Sequence, residues 1–221
     1  MKNFLLINVL FVISILNTIA QSYNWSRLDP KHPHSINVQS GLDYGLTYGL
    51  GYGYNLKTKW PAILNVQFSK PLGQNTFDDY KMLLGGQVRL VQWNGFRLST
   101  KLMSIFRHHE NEFAKLTNFG CDISGIVGYY RPRWYLSTEI GFDKAIVTHF
   151  RHSDLYKENV PSVLDGWYQP ATGGNFYYGF QGGYSFKHQD IYVKAGKLIE
   201  QDFKTEPFLP IYMQLGLNFH F

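Results

Sequence analysis

The chain has 221 residues, 17% of them aromatic, and a formal charge of +5. That length bounds it to one domain. The modest basic excess is interleaved with acids and excludes a nucleic-acid patch, and the single cysteine, Cys121, excludes a disulfide framework.

Residues 1–20 read as a cleaved secretory signal. Lys2 is the positive start, Phe4 to Leu16 is apolar except for Asn8 and Ser14, and Thr18 and Ala20 are small residues placed for cleavage before Gln21. The apolar run falls short of the ~20 residues that a spanning helix needs. No later segment approaches 18 consecutive apolar residues, which excludes helical membrane crossing. Residues 21–34 hold two prolines and no period, and read as an irregular N-terminal leader.

From residue 35 to Phe221 the texture changes to strict alternation. Ile36, Val38, Leu42, Tyr44, Leu46, Tyr48, Leu50, Tyr52 and Tyr54 are interleaved with small or polar residues without a break as far as Leu56. One 21-residue strand would be twice what a bilayer needs, so this stretch predicts a hairpin around Gly41 to Gly45. Further dyads follow around Leu64, Leu84, Leu98, Ile123, Leu136, Phe180 and Val193, and the last runs from Ile211 to Phe221. On each, an apolar or aromatic face opposes a polar one. The polar faces carry Arg89, Arg97, Lys101, Asp122, Glu139, Asp143 and Lys194. A soluble barrel would point its apolar face inward. Here the wide aromatic faces, Phe176 to Phe186 above all, would make an aggregation hazard in water.

The predicted fold is therefore all-β: an antiparallel, up-and-down transmembrane β-barrel. It has ten strands with the hairpin, and eight if one segment lies outside the wall. Those seven charged residues are expected to line the lumen, pairing with one another in a narrow barrel. Connections alternate in length. Asn94-Gly95, Arg131-Pro132 and the Lys187–Asp190 turn are tight, whereas Leu72–Asp79, His108–Glu112, Thr148–Gly174 and Asp202–Pro210 are longer. Short turns are expected in the periplasm and long loops outside.

The signal segment, the repeated dyads and the closing Leu215-Gly-Leu-Asn-Phe-His-Phe221 together resemble the small outer-membrane β-barrel proteins of Gram-negative bacteria, the porin-like barrel superfamily. The resemblance covers residues 36–221 and is architectural. It implies an outer-membrane location, contact with outer-membrane lipid, and recognition by the barrel-assembly machinery through Leu215, Leu217, Phe219 and Phe221. That scaffold hosts pores, adhesins and hydrolases, so fold does not fix function.

Chemistry-bearing residues gather in the long connections. His149, His152, Ser153 and Asp154 supply the types that a nucleophile, a base and an orienting acid require. On a regular strand, however, His152 and Ser153 point to opposite faces. His108, His109 and Glu110 form a second group, and a metal would need His109, His149 and His152 to meet at the mouth. None of the metal-ligand spacings is present, so no metal site and no cofactor is assigned. Trp167 and Tyr168 mark an aromatic loop suited to binding a surface ligand or folding over the opening. The sequence supports a non-enzymatic outer-membrane barrel with an envelope-structural, surface-interaction or small-solute-passage role. The alternative is an outer-membrane lipid or peptide hydrolase using the His149 to Asp154 cluster. The extracellular ligand is not specified by the sequence.

Overall fold

The computed structural model describes residues 22–43, 45–73, 77–170, 173–205, 207 and 209–221. The signal expected over residues 1–20 lies outside the described residues. The described residues form, in order, eleven strands and one short helix: β1 (His34–Leu42), β2 (Leu46–Leu56), β3 (Ala62–Pro71), β4 (Asp79–Trp93), β5 (Phe96–Glu110), β6 (Ala114–Tyr130), β7 (Trp134–His152), α1 (Asp154–Asn159), β8 (Gly166–Tyr168), β9 (Gly174–Phe186), β10 (Gln189–Glu200) and β11 (Ile211–His220). Each stave pairs antiparallel with its chain neighbour, β7 pairs directly with β9, and β11 returns to β1 over Ser35↔His220 to Leu42↔Met213. The result is a closed ten-stranded barrel. The three-residue β8 stands outside the staves and pairs only with the outer end of β7.

Closure follows from the dyad. Ser35, Asn37 and Gln39 of β1 are buried, while Ile36 and Val38 between them are exposed. The same alternation leaves Leu84 64%, Ile140 66% and Phe180 68% exposed on the outer wall. Such a continuous apolar surface is solvated by hydrocarbon, not water. A closed sheet leaves no backbone edge unpaired within that layer.

The β1–β2 hairpin explains why the alternation reads unbroken from Ile36 to Leu56. The turn is three residues long and Leu42 pairs with Leu46. Both are even-numbered, so the strand reverses without shifting the dyad phase. Elsewhere the phase does slip. β4 carries an irregularity between Arg89 and Val91, which leaves both Leu90 and Val91 exposed, and β7 carries another at Ile146, opposite Phe119 and Gly120 of β6. Several expected loops are shorter than their sequence suggests, because β5 continues through Glu110 and β7 through His152. At 15 to 19 residues, β4 to β7 exceed the ~9–11 that a bilayer requires. They stand above the rest of the rim at the end where the long loops lie.

Inner packing uses rings seated on glycines. The Tyr192 ring lies against Gly216, its pairing partner across β10 and β11, and Tyr212 lies across Gly196. A side chain at Gly216 would overlap Tyr192, which is fully buried and held by Asn37 and Gln39. Gly216→Ala is expected to destabilise the barrel by about 1–3 kcal/mol through overpacking. The drop should be read as a lower temperature for conversion of the folded to the unfolded form on a heat-modifiability gel. A variant as heat-resistant as wild type would show that the ring has room to move.

The leader departs from expectation. It is irregular, as its prolines require, but Ser22, Tyr23, Asn24 and Trp25 are all buried, at 1–4% exposure. They fill the lumen at the short-turn end. Tyr23 donates to Asn65 at 2.7 Å, Asn24 to the Arg131 carbonyl and to Ser185 at 2.9 Å each, and Asn218 to the Ser22 carbonyl at 2.6 Å.

The lumen as candidate functional site

Above the leader the lumen narrows around Glu139 of β7, which is 1% exposed. Lys101 of β5 reaches it at 2.7 Å, and Lys194 of β10 pairs with its other oxygen. Lys101 also lies 3.6 Å from Asp122 of β6. Ser124 donates to Glu139 at 2.8 Å, and Tyr177 donates to Asp122 at 2.7 Å. Both ammonium groups stand over the Tyr177 ring, at 5.9 and 5.8 Å from its centre. Four strands therefore meet on one buried carboxylate. Each charge faces a counter-charge, and Ser124 and Tyr177 add hydrogen bonds to the two carboxylates, which makes buried ions tolerable.

Towards the long loops the pairs continue outward. Lys81 bonds Asp43 at 2.5 Å, Arg107 pairs with Asp143, and Lys144 donates to Gln201 at 2.7 Å. Two cavities occupy this half. The deeper, about 80 Å³, is lined among others by Gln67, Lys101, Asp122, Tyr177, Lys194 and Tyr212. The outer, about 290 Å³, is lined by Asp43, Lys81, Arg107, Asp143 and Asn175 together with Pro207 and Leu209 of the last long loop. They share Asp43, Lys81 and Asp143, so charged side chains line one vestibule from mouth to floor.

Among the described residues, buried polar atoms in its wall without a hydrogen-bond partner include one Asp122 oxygen, which Lys101 faces at 3.6 Å, together with the Tyr212 hydroxyl and the Gln67 carbonyl oxygen, the last two on side chains each 6% exposed. All three residues line the deeper cavity, which has room for several waters or the polar end of a solute. The wall is not polar throughout, contrary to the alternation rule. Met103 and Ile105 of β5 face inward at 2–3% exposure, beside Leu83. An apolar strip beside the ion pairs lowers the local dielectric and strengthens them.

The seven expected lumen residues fall into three places. Lys101, Asp122, Glu139 and Lys194 form the central cluster, and Asp143 sits higher with Arg107. Arg97 lies at the short-turn end, where it donates to Ser26 of the leader at 2.5 Å and covers the Tyr130 ring at 5.5 Å. Arg89 is half-buried on β4 close by, opposite Ser99. Arg107, Tyr177 and Tyr192 escaped the sequence reading, whereas Lys81 and Tyr212 fall on the polar faces of their dyads. Even spacing from Gln181 and from Lys194 could have placed Tyr177 and Tyr192 inward, but aromatic character alone suggests lipid.

The His149 to Asp154 group is split by the backbone. His149 packs against Trp167, ring centres 4.8 Å apart. His152 Nδ1 bonds Asp165 at 3.0 Å. Ser153 caps α1, its hydroxyl accepting from the Tyr156 N–H at 3.2 Å, and Asp154 begins that helix, exposed. No Ser153–His contact joins a nucleophile to a base among the described residues. His108 pairs with Glu110 and His109 with Asp79, and no group of three metal-ligating side chains forms among the described residues. Trp167 and Tyr168 form β8 and lie along β7, with Trp167 also stacked on Phe119 and Tyr168 edge-on to Phe150. They brace the wall instead of covering the mouth. Leu215, Leu217, Phe219 and Phe221 share the outer face of the closing strand.

The Asp165 carboxyl is held well below the usual carboxylate range, first by the His152 backbone N–H and then by Lys157 at 2.6 Å. A lowered folded value means the clasp contributes fully above the ordinary carboxylate range and is lost only as pH falls through the lower, folded one. Pepsin is therefore expected to cut the 153–168 loop of wild type slowly at about pH 4 and faster only in stronger acid. Asp165→Asn should be cut several-fold faster already at the higher pH. Equal cutting rates for the two proteins would show that the clasp does not hold the loop.

The closed wall, apolar outside and charged inside, defines an antiparallel β-barrel of the transmembrane kind. No family model matches the chain, and no curated protein matches it. Among solved structures it is similar to the KdgM porin, at 9% identity and a TM-score of 0.43, covering 85% of this chain and 99% of that one. The KdgM porin in complex with disordered oligogalacturonate gives 10% and 0.42, with the same coverage. The outer membrane channel DcaP of Acinetobacter baumannii gives 12% and 0.33, covering 83% of this chain and 54% of that one. These likenesses are too distant to carry a solute or a mechanism from one chain to the other.

Proposed function

We propose that the protein is a non-enzymatic outer-membrane barrel that admits small polar solutes to a charged vestibule from the long-loop side, and whose passage is stopped by its own leader. The observation that carries this reading is the stack of two cavities descending to the Lys101–Glu139–Lys194 cluster, with the Tyr212 hydroxyl and Gln67 oxygen unpartnered in the wall. Cations and carboxylates alternate down the vestibule, so neither sign of ion is rejected outright. A zwitterionic or hydroxyl-rich solute matches that lining and the bare oxygens best. An apolar solute would leave those groups unsatisfied.

Export through residues 1–20, short turns in the periplasm and recognition of β11 by the barrel-assembly machinery complete the reading. The leader would then close the periplasmic end, with Ser22 to Trp25 as its stopper. Conductance and solute uptake by the reconstituted chain, with and without a seated leader, test it. Membranes that stay silent for both proteins at high load would sink it.

A further inference from the structure

We infer that the short-turn rim is a docking site for the headgroup of an anionic phospholipid, built by Arg27, Arg131, Arg133 and Lys187 above outward-facing rings. Only its assignment to the periplasmic leaflet rests on the orientation proposed above.

The two ends of the barrel differ in charge. The short-turn end carries Arg27, Lys57, Lys59, Arg131, Arg133 and Lys187 at its surface. Its carboxylates, among the described residues, are Asp29, bound to His32 at 3.2 Å, and Asp190, buried against His220 at 2.8 Å. At the opposite end acids and bases are mixed and largely paired. A mild overall charge therefore conceals a strongly basic rim.

The basic groups converge because the fold brings them together. β7 pairs with β9, so the 131–133 turn lies beside the 187–188 turn, and the Ser185 N–H bonds the Arg133 carbonyl at 2.8 Å. The buried leader then delivers Arg27, whose guanidinium donates to the Phe186 carbonyl at 2.7 Å and also to that of Lys187. Arg131 lies over the Tyr129 ring, 4.8 Å from its centre. Among the described residues no carboxylate pairs with Arg131, Arg133 or Lys187.

Two surface cavities flank Arg133. One, about 590 Å³, is walled by Arg27, Tyr184, Phe186, Lys187 and His188, and the other, about 520 Å³, by Tyr129, Arg131 and Trp134. Each joins guanidinium or ammonium groups to rings on the hydrocarbon-facing wall. The matching occupant is anionic at one end and apolar at the other. Arginines fork onto phosphate oxygens, and the rings sit at the depth where headgroup meets chain. A free anion would leave the aromatic walls unused, and a cell-wall polymer would not reach them.

The test uses the full chain in nanodiscs of phosphatidylcholine with a minor share of phosphatidylglycerol, followed by mass spectrometry of lipid retained on the released protein. Wild type is expected to retain phosphatidylglycerol preferentially. Arg131→Gln/Arg133→Gln/Lys187→Gln should lower that retention by about tenfold or more, whereas Arg151→Gln/Lys204→Gln at the other end should leave it unchanged. Equal retention of the two lipids, no effect of the triple change, or an equal effect of the distant pair would overturn the proposal. Stripping of the lipid by glycerol phosphate would reduce the site to a free-anion site. Sedimentation with peptidoglycan without lipid preference would assign it to the wall polymer. Protease cleavage of the 153–168 loop on intact cells reads the orientation separately, since the lipid preference stands whichever way the barrel faces.

Discussion

Glu139→Ala is expected to be the most damaging single substitution in the barrel. It leaves the Lys101 and Lys194 ammonium groups buried and facing each other without the carboxylate that both contact. Breaking a buried ion pair from one side costs about 3–5 kcal/mol, a large share of the ~5–15 kcal/mol that holds a typical domain folded. Asp122 offers partial relief to Lys101, at 3.6 Å, but is bonded by Tyr177. The midpoint of heat conversion on a gel should fall steeply, and little folded barrel should accumulate. Lys101→Met/Asp122→Asn/Glu139→Met/Lys194→Met removes all four charges of the cluster together and should recover most of the loss, because neutral replacement of a whole buried cluster is often tolerated. If the single variant melts with wild type, the cluster does not hold the wall together.

Removing the stopper should have the largest effect on passage. Deleting residues 22–28 while keeping residues 1–21 eliminates Tyr23 and Trp25, the bulkiest side chains of the leader, and its bonds to Asn65, Ser185 and Asn218. No stave is touched. In planar bilayers the wild type is expected to be mostly closed, and the deletion to show openings several-fold more frequent or larger. Tyr23→Ala/Trp25→Ala should fall between them. Sugar or amino-acid uptake into liposomes should rise in the same order. The Lys101–Glu139–Lys194 constriction remains, so large solutes should stay excluded. A deletion that folds and yet conducts no better than wild type would place the block in the constriction and not in the leader.

Much of this architecture is legible from alternation alone, because a period of two with apolar residues on the outside has few physical explanations. The ten-strand count was harder to read: a three-residue turn between Leu42 and Leu46 preserves the phase and hides the reversal. The leader was legible only as irregular. Burial of Ser22 to Trp25 depends on partners more than 40 residues away, such as Asn65, Gln181 and Asn218, and no local pattern encodes them. The lumen charges could be named as a set, but their grouping around Glu139 depends on the relative stagger of four strands. Met103 and Ile105 break the rule that inner residues are polar, since a lumen packed with side chains accepts apolar groups as any core does. At the rim, His152 finds its acid in Asp165, beyond α1, and not in the neighbouring Asp154.

The partners of Ser22, Tyr23 and Asn24 come from β3, β7, β9 and β11: Asn65, Tyr135, Gln181, Ser185 and Asn218. Asn218 also takes a bond from Asn37 of β1 at 2.8 Å, across the strand pair that completes the cylinder. The socket thus has no existence until first and last staves are joined. Complete seating of residues 22–24 therefore requires the ring to be shut in its native stagger. A barrel arrested before that seam zips would leave Trp25 in water, a fluorescent flag for unfinished assembly.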